Sequence, residues 1–200
     1  MTFYLVRHGL AQAGVEDLDP GLAPAGHEQA AAAARWLCGK NALRLAVSPL
    51  RRTRETAAPI GQETGLALEV REEVAEVFAP SMPAEQRSAM IGPFMAGRWA
   101  DQPPQLRAWR QRVVDALIEL GLEAESGGGD LIVVSHYIAI GVAIGEATGD
   151  DRVVPVPMAN CAISSFELVQ GRIRLIEACA TSHLPDELIT GMGSATLRRQ

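Results

Sequence analysis

The chain has 200 residues, 48% of them hydrophobic, and a formal net charge of −6 at pH 7. That apolar content excludes a disordered chain, and the length suffices for one large domain or two small ones. The acidic balance disfavours a nucleic-acid-binding protein, which normally carries a basic surplus, although a local group of arginines can still bind a small anion.

The cysteines and the hydrophobic runs indicate in which cellular compartment the protein is expected. The three cysteines, Cys38, Cys161 and Cys179, are an odd number without CxxC spacing. We interpret them as small, buried apolar residues of a protein in a reducing compartment. The N-terminal apolar run ends at Arg7 and is too short for a signal peptide, and no stretch approaches the ~18 apolar residues of a membrane span. We therefore expect a cytoplasmic protein without a membrane partner.

The first third of the chain alternates between short apolar runs and longer helix-forming runs. An apolar run of strand type at 3–6 precedes an alanine-rich helix at about 25–38. A second strand at 43–48 is followed by a second helix, which Gly65 ends, and by a third candidate strand at 66–70.

The following part is less uniform. Closely spaced prolines over 71–103 predict a loop region with one helix around 84–98. A clear amphipathic helix begins at Pro104. The continuous apolar run at 130–136 is typical of a central strand buried on both faces, and a helix at about 138–148 follows it.

Strands that alternate with helices indicate an α/β three-layer sandwich, with a mostly parallel central sheet and helices on both faces. Alternating apolar and charged residues after 170–171 predict a hairpin, which adds an antiparallel edge to the sheet. No repeat or linker divides the sequence, so we expect residues 1–200 to form a single domain with a lid or insert around 77–103.

Polar side chains follow three of the predicted strands where each strand ends. The first strand ends in Arg7, His8 and Gly9, the second in Ser48 ahead of Pro-Leu-Arg-Arg, and the late apolar strand in a serine followed by His136. Because open α/β sheets bind ligands at the carboxyl ends of their strands, these residues bring two histidines and a group of arginines to one crevice.

This set of side chains suits phosphoryl chemistry. A neutral imidazole can attack phosphorus at pH 7, and arginine forks match the peripheral oxygens of a phosphoryl group. An arginine buried beside His8 also needs an anion to neutralise it. The alternative for His8, judged on its position alone, is a strand-end histidine that is hydrogen-bonded to an ordinary turn.

Five segments together resemble the histidine phosphatase superfamily, which has the phosphoglycerate-mutase-like fold. They are LVRHG on the first strand, LAPAGHEQA, SPLRRTRETA, VVSH on the late strand and SHL at 182–184. The resemblance covers nearly the whole chain in the right order. It implies a covalent phosphohistidine mechanism on a small phosphorylated substrate, without a metal or an organic cofactor.

The resemblance also assigns roles to single positions. It implies that His8 is the nucleophile, that Arg7 and Arg52 bind the phosphate, and that His136 donates to the phosphoryl group in transfer. The neighbouring arginines of the second predicted helix, and the other two histidines of the chain, are expected to be solvated or structural; they are Arg51, Arg54, His27 and His183.

The proton donor is the next assignment. Members of the family place a glutamate after the third strand, and Glu76 takes that place in REEVAEVFAP, with Glu73 as its rival. A metal site built from His8, His136 and Glu76 is the competing interpretation, but the flanking arginines would repel a cation.

Two positions depart from the family pattern. Gly14 stands where many members carry an asparagine that contacts phosphate, and Gln12 is our candidate for the missing polar contact. Tyr137 replaces the glycine that usually follows the second histidine. Its hydroxyl is a candidate donor to the substrate; alternatively, its ring only packs at the edge of the site.

The segment after the candidate acid lacks the family's G-x-W-E-G element and looks like a rewritten lid. Its large apolar residues are more often core than substrate contacts at such loose helical spacing; they are Met82, Met90, Phe94, Met95 and Trp99. Loops on a rigid scaffold usually set specificity, and an exposed apolar lid is also compatible with a homodimer.

The favoured function is therefore a phosphatase acting on a small phosphomonoester. A mutase of the same fold needs extra basic residues over the pocket, and the segment 77–99 offers only Arg87 and Arg98. A catalytically weak module that binds a phospho-ligand or a phosphoprotein is the third hypothesis. The presence of both histidines and both arginines argues against it.

Overall fold

The computed structural model describes residues 1–12, 17–78 and 84–191, with side chains from residue 89 onward in the helix that begins at Ala84. In chain order its elements are β1 (Thr2–Arg7), α1 (Pro24–Cys38), β2 (Ala42–Val47), α2 (Arg51–Thr64), β3 (Leu68–Val70), α3 (Ala84–Met95), α4 (Pro104–Ser126), β4 (Asp130–Ser135), α5 (Tyr137–Thr148), β5 (Ile163–Val169) and β6 (Arg172–Ala180). Short 3-10 turns lie at Glu72–Val74, Trp99–Asp101 and Asp186–Leu188.

One six-stranded sheet runs through the molecule in the order β3-β2-β4-β1-β5-β6. The strands β3, β2, β4 and β1 are parallel, whereas β5 is antiparallel to β1, and β6 to β5. In the central pair, Arg7 at the end of β1 lies beside Ser135 at the end of β4. The predicted α/β fold with an antiparallel edge is therefore confirmed.

The apolar runs of the central strands are explained by helices on both faces of the sheet. Alternate residues of β1 point to opposite sides, so that Phe3 and Leu5 pack with side chains of α4 and α5. Tyr4 and Val6 pack with α1 and α2. A strand covered on both faces has no reason to alternate with polar residues, which is why these strands are continuously apolar.

The predicted hairpin is present and joins β5 to β6. Gln170 and Gly171 both have positive φ, at 51° and 73°, as the two central residues of a type I′ turn require. The twist of this turn matches the twist of the two strands, and β6 forms an edge of the sheet.

The helix expected around 84–98 ends earlier, at Met95. Contacts with the segment after α5 draw the chain out of the helix. The carbonyl of Gly97 accepts from the amide of Val153 at 3.0 Å, and the amide of Trp99 donates to the Asp151 carbonyl at 2.9 Å. The sequence around residue 97 gives no sign of these long-range bonds.

The expectation for the cysteines is only partly confirmed. All three are free thiols, and Cys161 is buried as expected, but Cys38 is exposed at the end of α1 and Cys179 is half-buried. Cys38 occupies the last position of its helix, where the helix meets solvent. None of the helices in the described part of the chain combines the length and the apolar content that a membrane crossing needs.

Candidate active site

A cavity of about 340 Å³ opens where the central parallel strands end. Its lining comes from the end of β1, the segment after β3, helix α3, the start of α5 and the C-terminal segment. The lining residues are Arg7, His8, Glu76, Ile91, Met95, Tyr137, Ile138 and Gly191. Residues far apart in the sequence thus meet at the sheet edge where the strand-end argument expected a site.

The turn after β1 is held tightly against the start of α1 and against α2. A Cβ atom at Gly9 would lie 2.6 Å from the Gly26 carbonyl oxygen, so a larger residue does not fit. The amide of Gly9 donates to Thr56 Oγ1 of α2 at 3.0 Å, and the amide of Leu10 donates to Gln29 Oε1 of α1 at 2.8 Å. Three of the sequence motifs therefore meet around this turn.

The hydrogen bonds of His8 define which ring nitrogen carries its proton. The Nδ1 atom lies 2.8 Å from the Gly9 carbonyl oxygen, which can only accept, so Nδ1 is the protonated nitrogen. The Nε2 atom accepts from Arg52 Nε at 3.3 Å. Burial, and then the charges of Arg52 and Arg7, lower the pKa of His8 to about 3. The ring is therefore neutral at pH 7, with an Nε2 lone pair in the site.

Arg7 is anchored from several sides. Its Nη1 donates to the carbonyl oxygen of Met158 and lies 3.4 Å from that of Gly191, and its guanidinium carbon lies 4.8 Å from the centre of the Tyr137 ring. Burial lowers the pKa of Arg7. Its Nε is buried and has no hydrogen-bond partner in the described part of the structure. An anion in the cavity would be close to the fixed positive charge of Arg7.

Arg52 and His136 lie next to His8, although neither is among the residues that line the cavity. Arg52 Nη2 lies 3.4 Å from His136 Nδ1, and His136 Nε2 lies 2.7 Å from Ser48 Oγ. Because arginine can only donate, Nδ1 accepts and Nε2 donates to Ser48. Burial, and then the neighbouring charges of His8 and Arg52, hold the pKa of His136 well below its usual range. Arg52 Nη1 also lies 3.7 Å from Asp19 Oδ1.

The two candidate acids lie in different surroundings. Glu76 lines the cavity, and its Oε1 accepts from the Val77 amide at 2.9 Å. Burial raises the pKa of Glu76; the Val77 amide and then the charge of Arg52 oppose that shift without cancelling it. Glu73 is exposed and lies 3.4 Å from Arg71 Nε. Only Glu76 is among the residues that line the cavity.

Tyr137 and Gln12, the two candidates at the departures from the family pattern, lie in different places. Tyr137 lines the cavity with its ring against Arg7, and its hydroxyl lies 3.4 Å from the Val156 carbonyl oxygen. Gln12 is exposed, its side chain donates to the Leu22 carbonyl at 3.1 Å, and it is not among the cavity lining. The structure thus brings Tyr137 to the site and turns Gln12 towards its own loop.

The arginines and histidines set aside in the sequence lie away from the cavity lining. Arg51 pairs with Glu55 at 2.7 Å, and Arg54 is exposed. His27 is exposed at the start of α1, and His183 Nε2 lies 3.0 Å from the Cys161 carbonyl oxygen. Among the residues that the structure describes, no three His, Cys, Asp or Glu side chains are grouped closely enough to hold a metal ion.

The apolar residues of the expected lid divide between core and cavity. Phe94 and Trp99 are buried and their rings contact each other at 5.6 Å, whereas Met95 lines the cavity. Met90 is 40% exposed without lining it, and Met82 lies outside the described residues. Ile91, which the sequence did not single out, lines the cavity one turn before Met95.

A polar network behind the site was also missed from the sequence. Gln29 Nε2 donates to Thr190 Oγ1 at 2.8 Å, and Thr190 Oγ1 donates to Asn160 Oδ1 at 3.1 Å. The side chain of Asn160 donates in turn to the His8 carbonyl at 3.3 Å. Gln29 is part of a quoted motif and could have been found. Asn160 and Thr190 lie in segments whose local sequence has no distinguishing pattern.

Comparison with known proteins agrees with this arrangement. The model of the histidine phosphatase superfamily (branch 1) matches residues 3–181. The chain belongs to this superfamily. No curated protein matches the chain.

Solved structures share its fold at low sequence identity. YhfR of Bacillus stearothermophilus has a TM-score of 0.77 at 18% identity, over 91% of this chain and 98% of that one. Phosphoserine phosphatase of Entamoeba histolytica, in complex with 3-phosphoglyceric acid, has a TM-score of 0.72 at 22% identity, over 92% and 99%. A mycobacterial glucosyl-3-phosphoglycerate phosphatase has a TM-score of 0.69 at 22% identity, over 90% and 99%.

Proposed function

We propose that this protein is a phosphatase that hydrolyses a small phosphomonoester through a covalent phosphohistidine on His8. Arg7 and Arg52 hold the phosphoryl group, His136 donates Nδ1–H to it in the tautomer whose Nε2 accepts from the Ser48 hydroxyl, and Glu76 donates a proton to the leaving oxygen. Family membership and the phosphatase names of two of the structural neighbours support the general activity. The roles of single residues are supported by the geometry of the site.

The observation that carries the proposal is the state of His8. Its Nδ1 proton is engaged by the Gly9 carbonyl, which leaves the Nε2 lone pair available, and the residue lines the same cavity as Glu76. A histidine held in this tautomer is a nucleophile at neutral pH without an additional base. The arginine beside Nε2 would meet the oxygens of a phosphoryl group that approaches this atom.

In the first step, a bond forms between His8 Nε2 and phosphorus while the ester bond between phosphorus and oxygen breaks. The electron pair of that bond leaves with the ester oxygen, which takes the proton of Glu76 and departs as an alcohol. The raised pKa of Glu76 helps here, because it keeps the carboxyl group protonated closer to neutral pH. Arg7 and Arg52 balance the charge of the peripheral oxygens.

In the second step, a water molecule attacks the phosphorus of the phosphohistidine. The Glu76 carboxylate accepts a proton from this water, and the nitrogen–phosphorus bond breaks with its electron pair returning to Nε2. Inorganic phosphate is released and both residues regain their starting states. One carboxyl group thus acts first as an acid and then as a base.

The test compares the wild type with His8→Ala and with His27→Ala, a control at an exposed histidine, on para-nitrophenyl phosphate in the presence of EDTA. Phosphoenzyme is trapped at neutral pH and located by mass spectrometry, since phosphohistidine is lost in acid. We expect turnover and an adduct on His8 in the wild type and in His27→Ala. His8→Ala should lack both.

The other outcomes correspond to the alternative functions. Binding of phosphate or vanadate without turnover or adduct would contradict the phosphatase and favour the binding module. An adduct that persists in water and passes its phosphoryl group to an added hydroxy acid phosphate would favour a mutase. Loss of activity in EDTA that zinc or magnesium restores would contradict the metal-independent mechanism.

A further inference from the structure

Part of the cavity lining, which we call the apolar wall, consists of apolar side chains from helices. Ile91 and Met95 stand four residues apart on α3 and therefore share one face of this helix, which lines the cavity. Ile138, at the start of α5, continues the apolar lining. Arg7 and His8 come from the end of the central strand, so the charged and the apolar side chains of the lining, the charged wall and the apolar wall, belong to different elements.

The apolar wall is fixed in place by its own core. Phe94, between Ile91 and Met95 in sequence, is 6% exposed, and its ring packs 5.1 Å from the ring of Phe78 and 5.6 Å from that of Trp99. The end of α3 is therefore anchored by buried aromatic rings. Ile91 nevertheless remains 38% exposed, because its side of the helix faces the open cavity.

We infer that the apolar wall selects phosphomonoesters whose leaving group is apolar next to the ester oxygen, that is, alkyl or aryl phosphates, and that Ile91 and Met95 determine this specificity. The inference rests on the proposed function, which places the phosphoryl group between Arg7 and His8. The leaving group then extends across the cavity towards α3.

The discrimination has two physical sources. An apolar group packed against a side chain such as Met95 gains contact and leaves water, and one such contact changes kcat/KM by about 10- to 200-fold. A carboxylate at the same place loses hydration without a compensating partner among the described lining residues of this wall, which are apolar. The cavity of about 340 Å³ has the size of a site for a small molecule.

The test uses two esters that differ in charge but little in leaving-group acidity, phenyl phosphate and 4-carboxyphenyl phosphate. We expect the wild type to hydrolyse phenyl phosphate with a kcat/KM about 10-fold higher or more. In Met95→Lys, the new cation should favour hydrolysis of 4-carboxyphenyl phosphate and weaken binding of phenyl phosphate. The ratio of kcat/KM for phenyl phosphate to that for 4-carboxyphenyl phosphate should therefore fall by about 10-fold or more.

Met90→Lys is the matched control, because Met90 is 40% exposed on the same helix without lining the cavity. It should leave the ratio unchanged. Ile91→Lys is a second variant at a partly exposed position and serves if Met95→Lys lowers the melting temperature strongly. Circular dichroism of all variants checks that they are folded.

The failure of this inference differs from the failure of the proposed function. Equal rates on the two esters, with a normal adduct on His8, would overturn the apolar specificity and leave the phosphatase intact. A change of the kcat/KM ratio in Met90→Lys equal to that in Met95→Lys would mean that any positive charge added to α3 alters the preference. This result would also overturn the inference. The absence of both hydrolysis and adduct, with para-nitrophenyl phosphate included, would overturn both proposals.

Discussion

The two walls of the cavity are built by different forces. The wall of Arg7 and His8 is held by directional hydrogen bonds between segments far apart in the chain, among them those of Gln29 and Asn160. The wall of α3 is held by packing of aromatic rings around Phe94. Directional bonds fix atoms to within a few tenths of an ångström, whereas apolar packing tolerates exchanges of similar volume.

This difference indicates which changes the site can accept. On the polar wall, a substitution leaves buried donors or acceptors without partners and is costly. On the apolar wall, a substitution at an exposed position changes the surface offered to a ligand without disturbing the buried rings. We therefore expect large losses of activity on the first wall and altered preference on the second.

The largest expected effect is that of Glu76→Gln, since it removes the proposed acid while preserving shape. With an alkyl phosphate, kcat should fall by about 10³-fold, within the range found for general acids. With para-nitrophenyl phosphate the loss should be much smaller, because that leaving group needs little protonation. Since the acid must be protonated, wild-type kcat on the alkyl ester should fall as the pH rises through the raised pKa of Glu76.

Steady-state kinetics of Glu73→Gln provide the comparison, because this exposed neighbour pairs with Arg71 outside the cavity lining. It should retain nearly full activity. A loss in Glu73→Gln equal to that in Glu76→Gln would contradict the assignment of the acid.

Arg52→Ala should have the next largest effect. It removes the donor beside His8 Nε2, and we expect kcat to fall by about 10²- to 10³-fold, as for other groups that stabilise transition-state charge. The pKa of His8 should rise, because the charge of Arg52 is one of the causes that lower it, and NMR titration of the ring would detect this. Arg54→Ala, at an exposed position of the same helix, should change neither quantity.

A smaller effect is expected from Gly191→Ala, which tests how the C-terminal segment positions Arg7. Gly191 has φ of 78°, and an added Cβ would lie 2.3 Å from Asn160 Oδ1 and 3.0 Å from Arg7 Nη1. We expect inhibition by inorganic phosphate to weaken by about 10-fold, as the loss of one charge-assisted contact predicts.

Gly128→Ala is the matched control, because Gly128 has φ of 79° but open space around it. Both variants should lose about 1 kcal/mol of unfolding free energy from backbone strain. Only Gly191→Ala should lose affinity for phosphate. Equal phosphate inhibition in the two variants would show that the C-terminal segment does not position Arg7.

A further effect concerns the pH dependence of stability rather than activity. The folded state holds the pKa of His8 and that of His136 below 6.5, so the unfolded chain binds more protons between those values and pH 6.5. Stability from this source is present above pH 6.5 and is lost as the pH falls towards 3. Each histidine contributes a slope of at most about 1.4 kcal/mol per pH unit.

Urea unfolding of the wild type and of His8→Asn at several pH values measures this contribution. The free energy of unfolding of His8→Asn, relative to that of the wild type, should increase as the pH decreases from 6.5 to 4. A constant difference between the two proteins would mean that His8 is protonated equally in the folded and unfolded states, and so would contradict the lowered pKa.

Much of the fold followed from the sequence because its signals are local. Continuous apolar runs identified β1 and β4, and the rule that ligands bind at the carboxyl ends of strands brought His8 and His136 together. These inferences needed only local sequence patterns and one rule about where parallel sheets bind ligands.

The remaining parts of the site depend on tertiary contacts. Asn160 and Gly191 reach Arg7 and His8 across more than 150 residues, and no nearby pattern marks them. Phe94 and Met95 are neighbours on α3 and differ in which side of the helix they occupy, so they could not be assigned to core or cavity from composition. The exposed position of Gln12 likewise depends on a bond to Leu22 within its own loop.

The order in which the site is assembled along the chain has a consequence for synthesis. Arg7 and His8 are synthesised well before β4, and β1 gains its parallel partner only when β4 has been made. The carbonyl of Gly191 that faces Arg7 arrives later still. A nascent chain therefore carries an incomplete candidate site until residue 191 has been translated, and premature termination before that point produces a protein without the finished pocket.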